Sequence, residues 1–278
     1  MKKTAYLFSR LGSIKKALKG RLIYLLLDYD GTLAPIVRVP GEAAIPRSTK
    51  DLLRRLSRTP DCRIAVVSGR ALKDLSARVG IKGIVYVGNH GFEIRGPKIR
   101  FKSPVSLRYR KTLDEIKAKL KKRLGPIKGT LIEDKGFSLS VHYRLADKKG
   151  KAAVKNEFYD TLFPYLFKKD VRTTSGKMIL EVRPPVSWNK GKVVLWLLGQ
   201  RSDIIQDKRG KVLPLYIGDD TTDEDAFESL KDRGITIFVG RPGKTKARFY
   251  LKDTSEVARF LRDILENITQ GARWRKKR

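Results

Sequence analysis

The sequence predicts an α/β fold: a Rossmann-like core of parallel strands with an α+β unit inserted into it. Three observations carry this. Almost unbroken apolar runs, above all Leu22-Ile-Tyr-Leu-Leu-Leu27, read as strands buried on both faces, as in parallel sheets flanked by helices. Strand, turn and helix alternate on either side of residues 104–184, as they do in βαβ units. Between those limits Phe137, Leu139, Val141 and Tyr143 alternate with Ser138, Ser140 and His142, the period of a sheet covered on one face only. The expected domains are residues 1–103 with 185–278, and residues 104–184.

Taken in order, residues 1–21 place Leu7, Leu11, Ile14 and Leu18 at helical spacing, with Lys15, Lys16 and Lys19 among them. Such a helix packs on the core or lies on anionic lipid; without a bulky aromatic anchor face, packing is the expectation. After the strand at Leu22, residues 47–58 form a helix, with Pro46 at its start and Leu52, Leu53 and Leu56 on one side. Residues 63–67 are a second buried strand ending at Ser68-Gly69-Arg70, and residues 71–79 a helix. Residues 84–87 are a third strand, ending at Gly88-Asn89-His90-Gly91. In the insert, residues 107–124 make a long basic amphipathic helix. Strands follow at 130–133, 137–143 and 178–182, with a second helix at 151–167. The two helices cover the apolar sheet face and leave the polar face free to line a site. The first style then resumes: a helix at 190–198, a strand at 212–217 with the loop Gly218-Asp-Asp-Thr-Thr-Asp-Glu224, a strand at 235–239 and a helix at 255–268. Residues 273–278 read as a frayed basic tail. No internal repeat or low-complexity linker is present.

Length and composition suit one large or two modest globular domains: 278 residues, 41% hydrophobic and 9% aromatic. Charge is the outlier, since 62 basic against 29 acidic residues give +33. That favours anionic partners, such as phosphates, nucleic acid or membrane surfaces, although excess Lys and Arg is often only a solvated surface. The single cysteine, Cys62, excludes an internal disulfide, fits a reducing compartment and lies in an apolar strand where packing is its role. No apolar stretch is long enough to span a bilayer, and no signal-peptide core precedes a cleavage site. A cytoplasmic monomer is the expectation.

Chemistry gathers at strand ends. Asp28 and Asp30 follow the first strand, where active groups of open α/β sheets sit; an ordinary turn explains the same residues alone. Ser68 ends the second strand, Asp219, Asp220 and Asp223 follow a later one, and Lys190 stands just inside a helix. If the strands are parallel neighbours, all converge at one sheet edge. Carboxylates so close repel unless a cation sits among them, and hard oxygen ligands suit Mg²⁺. Ser68 and Lys190 then supply a hydroxyl donor and a fixed charge for phosphate oxygens. The set matches phosphoryl transfer, in which positioning and charge neutralisation do most of the catalysis.

Asp28-x-Asp30-Gly-Thr, Ser68, Lys190 and Gly218-Asp219-Asp220 resemble the four motifs of the haloacid dehalogenase superfamily. The insert lies between the second and third, where that superfamily carries its larger caps. Val67-Ser-Gly-Arg70, Gly88-Asn-His-Gly91, Glu133-Asp-Lys-Gly136, Val141-His-Tyr-Arg144, Leu180-Glu-Val-Arg-Pro184 and Asn189-Lys-Gly191 are similar to the trehalose-6-phosphate phosphatase family. The resemblance runs from about Leu22 to Leu265. It implies a Mg²⁺-dependent hydrolase of a small sugar phosphate, with Asp28 as nucleophile and Asp30 as acid and base. Metal ligands would come from Asp28, the Asp30 carbonyl and Asp219, with Asp220 and Asp223 in or near the shell. Arg70, Asn89 and His90 would face substrate from the core. Glu133, Lys135 and Glu181, with His142, Arg144 and Arg183 as further candidates, would reach sugar hydroxyls from the cap. His142 reads equally as a hydrogen-bonded sheet residue. A polar lid would recognise the sugar and exclude water on closing.

Other readings have particular supports. Related capped phosphatases act on sucrose phosphate or mannosyl-phosphoglycerate. A basic nucleic-acid-binding protein would use the charge and treat the aspartates as structural, but no specific nucleic-acid partner is expected. The run Gly240-Arg-Pro-Gly-Lys-Thr245 suggests a nucleotide loop, yet Phe238 stands where that loop needs glycine.

Overall fold

A computed structural model describes residues 4–103, 106–186, 188–200 and 212–275. The chain divides into two compact units, residues 102–187 and the remainder; the expected insert was 104–184. In chain order the strands are β1 (Ala5–Tyr6), β2 (Leu22–Leu27), β3 (Cys62–Val67), β4 (Val85–Gly88), β5 (Glu93–Gly96), β6 (Ile99–Lys102), β7 (Leu131–Asp134), β8 (Leu139–His142), β9 (Arg172–Gly176), β10 (Ile179–Arg183), β11 (Val212–Gly218), β12 (Ile235–Val239) and β13 (Phe249–Leu251). The α-helices are α1 (Leu11–Leu18), α2 (Arg47–Ser57), α3 (Leu72–Val79), α4 (Leu107–Leu124), α5 (Lys148–Phe167), α6 (Lys190–Gly199), α7 (Glu224–Leu230) and α8 (Thr254–Arg275).

The larger unit is built on a sheet in the order β1-β13-β12-β11-β2-β3-β4-β5-β6. From β1 to β4 every neighbouring pair is parallel, and β5 turns back antiparallel to β4. All six residues of β2 are buried because both faces are covered. Ile23, Leu25 and Leu27 join one core with α1, α2, α3 and α8, while Tyr24 and Leu26 join another with α6 and α7. Register decides function: Leu27 lies opposite Val66 of β3 and Ile217 of β11, and Val67 opposite Val87 of β4. The carboxyl ends of four strands therefore meet at one sheet edge.

The N-terminal helix is shorter than its apolar stripe suggests, a 3-10 turn over Leu7–Arg10 leading into α1. Leu7, Ile14 and Leu18 are buried in the core and Lys15 pairs with Asp263 at 2.7 Å, so this stripe packs rather than facing lipid. Helix α8 continues to Arg275, past the expected end at 268; of the expected tail, residues 276–278 lie outside the described residues. Cys62 is buried, which pushes its thiol up to about 12 and makes it a packing residue. Among the described residues no helix is long and apolar enough to cross a membrane.

The smaller unit is a sheet in the order β7-β8-β10-β9, antiparallel throughout. Leu139, Val141, Leu180 and Val182 pack against Leu113, Ile116 and Leu120 of α4 and Val154, Phe158 and Leu162 of α5. The alternation read in the sequence is thus real, and the apolar face is the helix-covered one. Strand β9 escaped that reading because Arg-Thr-Thr-Ser-Gly carries no apolar alternation; as an edge strand it needs none. Phe158 is fully buried at the centre of this unit. Phe158→Ala should destabilise the protein by about 3–5 kcal/mol, read as a lower urea midpoint. An unchanged midpoint would mean that the helix pair does not seal this core.

Candidate active site

Asp28 continues β2 by one residue, its N–H donating to Ile217 O at 2.9 Å, and its side chain is buried. Lys190 opens α6, whose N-cap Asn189 accepts from the Lys192 N–H at 2.9 Å. This start aims the lysine inward. Its Nζ donates to Asp28 Oδ1 at 2.6 Å and to Asp223 Oδ1 at 2.7 Å. Burial would lower the Lys190 pKa, but Asp223 and Asp28 outweigh it and push it up, so the ammonium keeps its charge. Burial pushes the Asp28 carboxyl well above the usual range; Lys190 opposes the shift, while Asp223 and Asp219 add to it.

Oxygens of Asp28, Asp219 and Asp223 lie within 4.8 Å of one another, and all three residues are buried. Asp223 is the most constrained. Its Oδ1 accepts from Lys190 and from Tyr216 OH at 2.7 Å, and its Oδ2 from the N–H groups of Asp219 and Asp220 at 3.0 Å each. Four donors fill the acceptor capacity of a carboxylate. Tyr216 escaped the sequence reading; a tyrosine two residues before the Gly-Asp-Asp turn, in an apolar strand, was its only signal. Asp220 stands apart, its carboxylate accepting from the Thr221 N–H at 2.7 Å.

The cluster fits a divalent cation on its own chemistry. One ammonium lies among three buried carboxylates, and the donors are all hard oxygens, as Mg²⁺ or a similar ion requires. The fit is close enough to restrict the backbone. Gly31 has φ +82°, and a Cβ there would run into the Asp219 carboxylate.

Beside this cluster, Asp30 is gripped by Arg70, Nε to Oδ2 and Nη2 to Oδ1, both at 2.7 Å. Arg70, expected to face substrate, here binds the second aspartate of the motif. Ser68 is buried and its Oγ accepts from the Arg70 N–H at 3.1 Å, so it shapes the turn. Asn89 and His90, at the end of β4, hold φ +50° and +53°, conformations costing on the order of 1–3 kcal/mol each in non-glycine residues. Hydrogen bonds hold them there: Asn89 N–H to Arg70 O at 2.7 Å and His90 N–H to Ser68 O at 3.0 Å. Asn89 Nδ2 also donates to Glu93 Oε2 at 2.8 Å, a partner not foreseen in the sequence. The imidazole fills the space over Gly69, where a Cβ would meet it.

In the smaller unit the polar sheet face carries a connected network. Glu181 is buried and accepts from Ser138 Oγ at 2.9 Å, Ser140 Oγ and Lys135 Nζ at 3.4 Å, and Arg183 Nε at 2.6 Å. His142 Nε2 and Glu133 Oε2 lie 2.9 Å apart, with Lys135 Nζ 4.0 Å from the same oxygen. Arg144 points elsewhere, donating to Lys177 O at 3.0 Å. Glu133, Lys135, His142, Glu181 and Arg183 thus form one network that Arg144 does not join.

A buried aspartate at the end of a central strand, a buried lysine at a helix start and an acidic loop on the neighbouring strand define a capped phosphatase of the haloacid dehalogenase superfamily. The particular family follows from comparison. A sequence model described as Trehalose-phosphatase matches residues 26–255, and the chain belongs to that family. It is 34% identical to "Probable trehalose-phosphate phosphatase 3" of Oryza sativa subsp. japonica, over 93% of this chain and 74% of that protein. With the trehalose-phosphate phosphatase of Mycobacterium tuberculosis (strain H37Rv) it shares 35% identity, over 89% of this chain and 62% of that one. The C-terminal domain of Candida albicans trehalose-6-phosphate phosphatase superposes with a TM-score of 0.81 at 27% identity, over 95% of this chain and 99% of that one.

Gly31→Ala should lower divalent-cation affinity by about 10–100-fold, the usual effect of disturbing groups that support a metal's ligands. Titration calorimetry with Mn²⁺ would read this, with circular dichroism confirming the fold. Unchanged affinity would mean that the ion does not depend on Asp219.

Proposed function

We propose that the protein hydrolyses trehalose 6-phosphate to trehalose and phosphate through an aspartyl-phosphate on Asp28. The observation that carries this is the convergence of Asp28, Lys190, Asp219 and Asp223 at the ends of β2 and β11. A carboxylate of Asp28 attacks phosphorus as the bond to the sugar oxygen breaks, and Asp30 gives that oxygen its proton. Asp30 then takes a proton from water, which attacks phosphorus and breaks the bond to Asp28, releasing phosphate. Lys190 neutralises charge at Asp28 and the transferring group, and Ser68 offers its hydroxyl to phosphate. Splitting one displacement into two, with acid–base help worth roughly 10²–10⁴-fold, is the logic of covalent catalysis.

Mg²⁺ is the proposed cation. Asp28, Asp219 and the Asp30 carbonyl would hold it, Asp223 would steady the site from behind through its four donors, and Asp220 would stay outside. When bound it screens negative charge on phosphate and carboxylates. Asn89 and His90 are assigned to the phosphosugar, and Arg70 to the Asp30 carboxylate that it binds. Glu133, Lys135 and Glu181 are assigned to sugar hydroxyls, since a buried polar network rejects analogues lacking matching groups better than an apolar pocket does. Action as a cytoplasmic monomer completes the proposal; a buried lone thiol fits a reducing compartment.

The family match supports trehalose 6-phosphate over the sucrose and mannosyl-phosphoglycerate alternatives. The likeness to Synechocystis sucrose-phosphatase, at 15% identity and TM-score 0.51, extends to the fold alone. A reading as a nucleic-acid-binding protein has only net charge behind it.

Phosphate release from a panel of phosphorylated sugars should be Mg²⁺-dependent, strongest with trehalose 6-phosphate, and abolished by Asp28→Asn in a folded protein. Preference for another sugar phosphate would remove the narrow substrate assignment and leave the chemistry. Asp30→Asn should lower turnover of the sugar phosphate about 10²–10⁴-fold, yet far less for an aryl phosphate whose leaving group needs no proton. Equal losses would contradict its role as the acid.

A further inference from the structure

We propose that Asp74 and Arg78 are positioning residues that fix the Asp30 carboxylate by holding Arg70 from behind. The proposal rests on the reading of Asp30 as the acid and base.

Arg70 is buried and divides its guanidinium between two carboxylates. One edge, Nε and Nη2, binds Asp30, while Nη1 donates to Asp74 Oδ2 at 2.9 Å. Asp74 and Arg78 stand one turn apart on α3, spacing that puts them on the same face. Arg78 Nε donates to both Asp74 oxygens, at 2.8 and 2.9 Å. Arg78 Nη1 also donates to Gly41 O and Ala43 O, at 3.0 Å each. Ala43 O accepts a further bond from Tyr29 OH at 3.0 Å, and the Arg70 guanidinium lies over the Tyr29 ring at 5.1 Å. Tyr29 precedes Asp30 in the chain, so the contacts close into a circuit: Asp30, Arg70, Asp74, Arg78, Ala43, Tyr29 and back to Asp30.

The circuit balances two arginines against two aspartates, and its far end is firm. Burial would raise the Asp74 pKa, but hydrogen bonds from Arg78 and Arg70 outweigh it and hold the carboxyl below the usual range. This anchor matters because both Asp30 oxygens accept from Arg70, so delivering a proton to a sugar oxygen requires one contact to open. With Nη1 tied to Asp74, Arg70 yields that contact without leaving the other. Without the tie, the guanidinium follows Asp30 or swings away, and the carboxylate loses its place. Displacement of a reacting group by about 1 Å is enough to cost 10²-fold in rate.

The test compares Asp74→Asn, Arg78→Ala, Asp30→Asn and the Asp30→Asn/Asp74→Asn pair on trehalose 6-phosphate and 4-nitrophenyl phosphate, with thermal melting as the folding control. Asp74→Asn should lower kcat on the sugar phosphate by about 10–100-fold with KM little changed, and should leave the aryl phosphate nearly untouched. Arg78→Ala should act the same way, more weakly. In the Asp30→Asn background Asp74→Asn should cost nothing further, because its effect runs through the missing carboxylate. Equal losses on both substrates, or losses that add in the double variant, would overturn the proposal while Asp30→Asn still discriminates. If Asp30→Asn itself fails to discriminate, the acid–base reading falls, and this proposal with it.

Discussion

A buried ammonium between two buried carboxylates is the contact on which the rest of this structure depends. Lys190 is 3% exposed, Asp28 5% and Asp223 0%, so none can lean on water. Desolvating each ion costs several kcal/mol, which close pairing must offset. Lys190 meets that demand from a helix start on one side of the sheet, joining Asp28 after β2 to Asp223 beyond β11. Tyr216 and two backbone N–H groups complete Asp223, so the lysine has a fixed partner whatever occurs at Asp28. Asp28 can then change its charge without dismantling the site.

What delivers these groups is strand register. Leu27 opposite both Val66 and Ile217 sets Asp28 beside the loops that begin at Ser68 and Gly218. A one-residue slip of β2 would exchange its two buried faces and turn Asp28 away. The apolar run Leu22–Leu27 is therefore a positioning device as much as a core. Helix α3 extends the same arrangement outward: a helix that packs Leu75 and Val79 inward also presents Asp74 to Arg70 and Arg78 to Asp74.

The parts of this design that were legible in the sequence are those with a strong local signal. Continuous apolar runs marked β2, β3 and β11, Gly-rich polar turns marked their ends, and period two marked β8. Short elements whose existence depends on a neighbour were not visible: β1 takes its place from β13, β9 from β10, and β5 with β6 carries too many charges to stand out. In the site, Asp28, Asp219, Asp223 and Lys190 were legible because their types and spacings fit one chemistry. Tyr216, Glu93, Asp74 and Arg78 were not, since each matters only for the group it touches across the fold. Arg70 shows the limit most directly. Its position in Ser-Gly-Arg was informative, whereas its grip on Asp30 is a contact between residues 40 apart in the chain.

Whether Asp28 itself carries the phosphoryl group can be read by chemical trapping. Borohydride added during turnover of trehalose 6-phosphate reduces an acyl phosphate on an aspartate to homoserine, which mass spectrometry locates by peptide. The account predicts this conversion at Asp28, dependent on substrate and on divalent cation. Phosphate release with Asp28 unmodified, or with the label on another carboxylate, would contradict it.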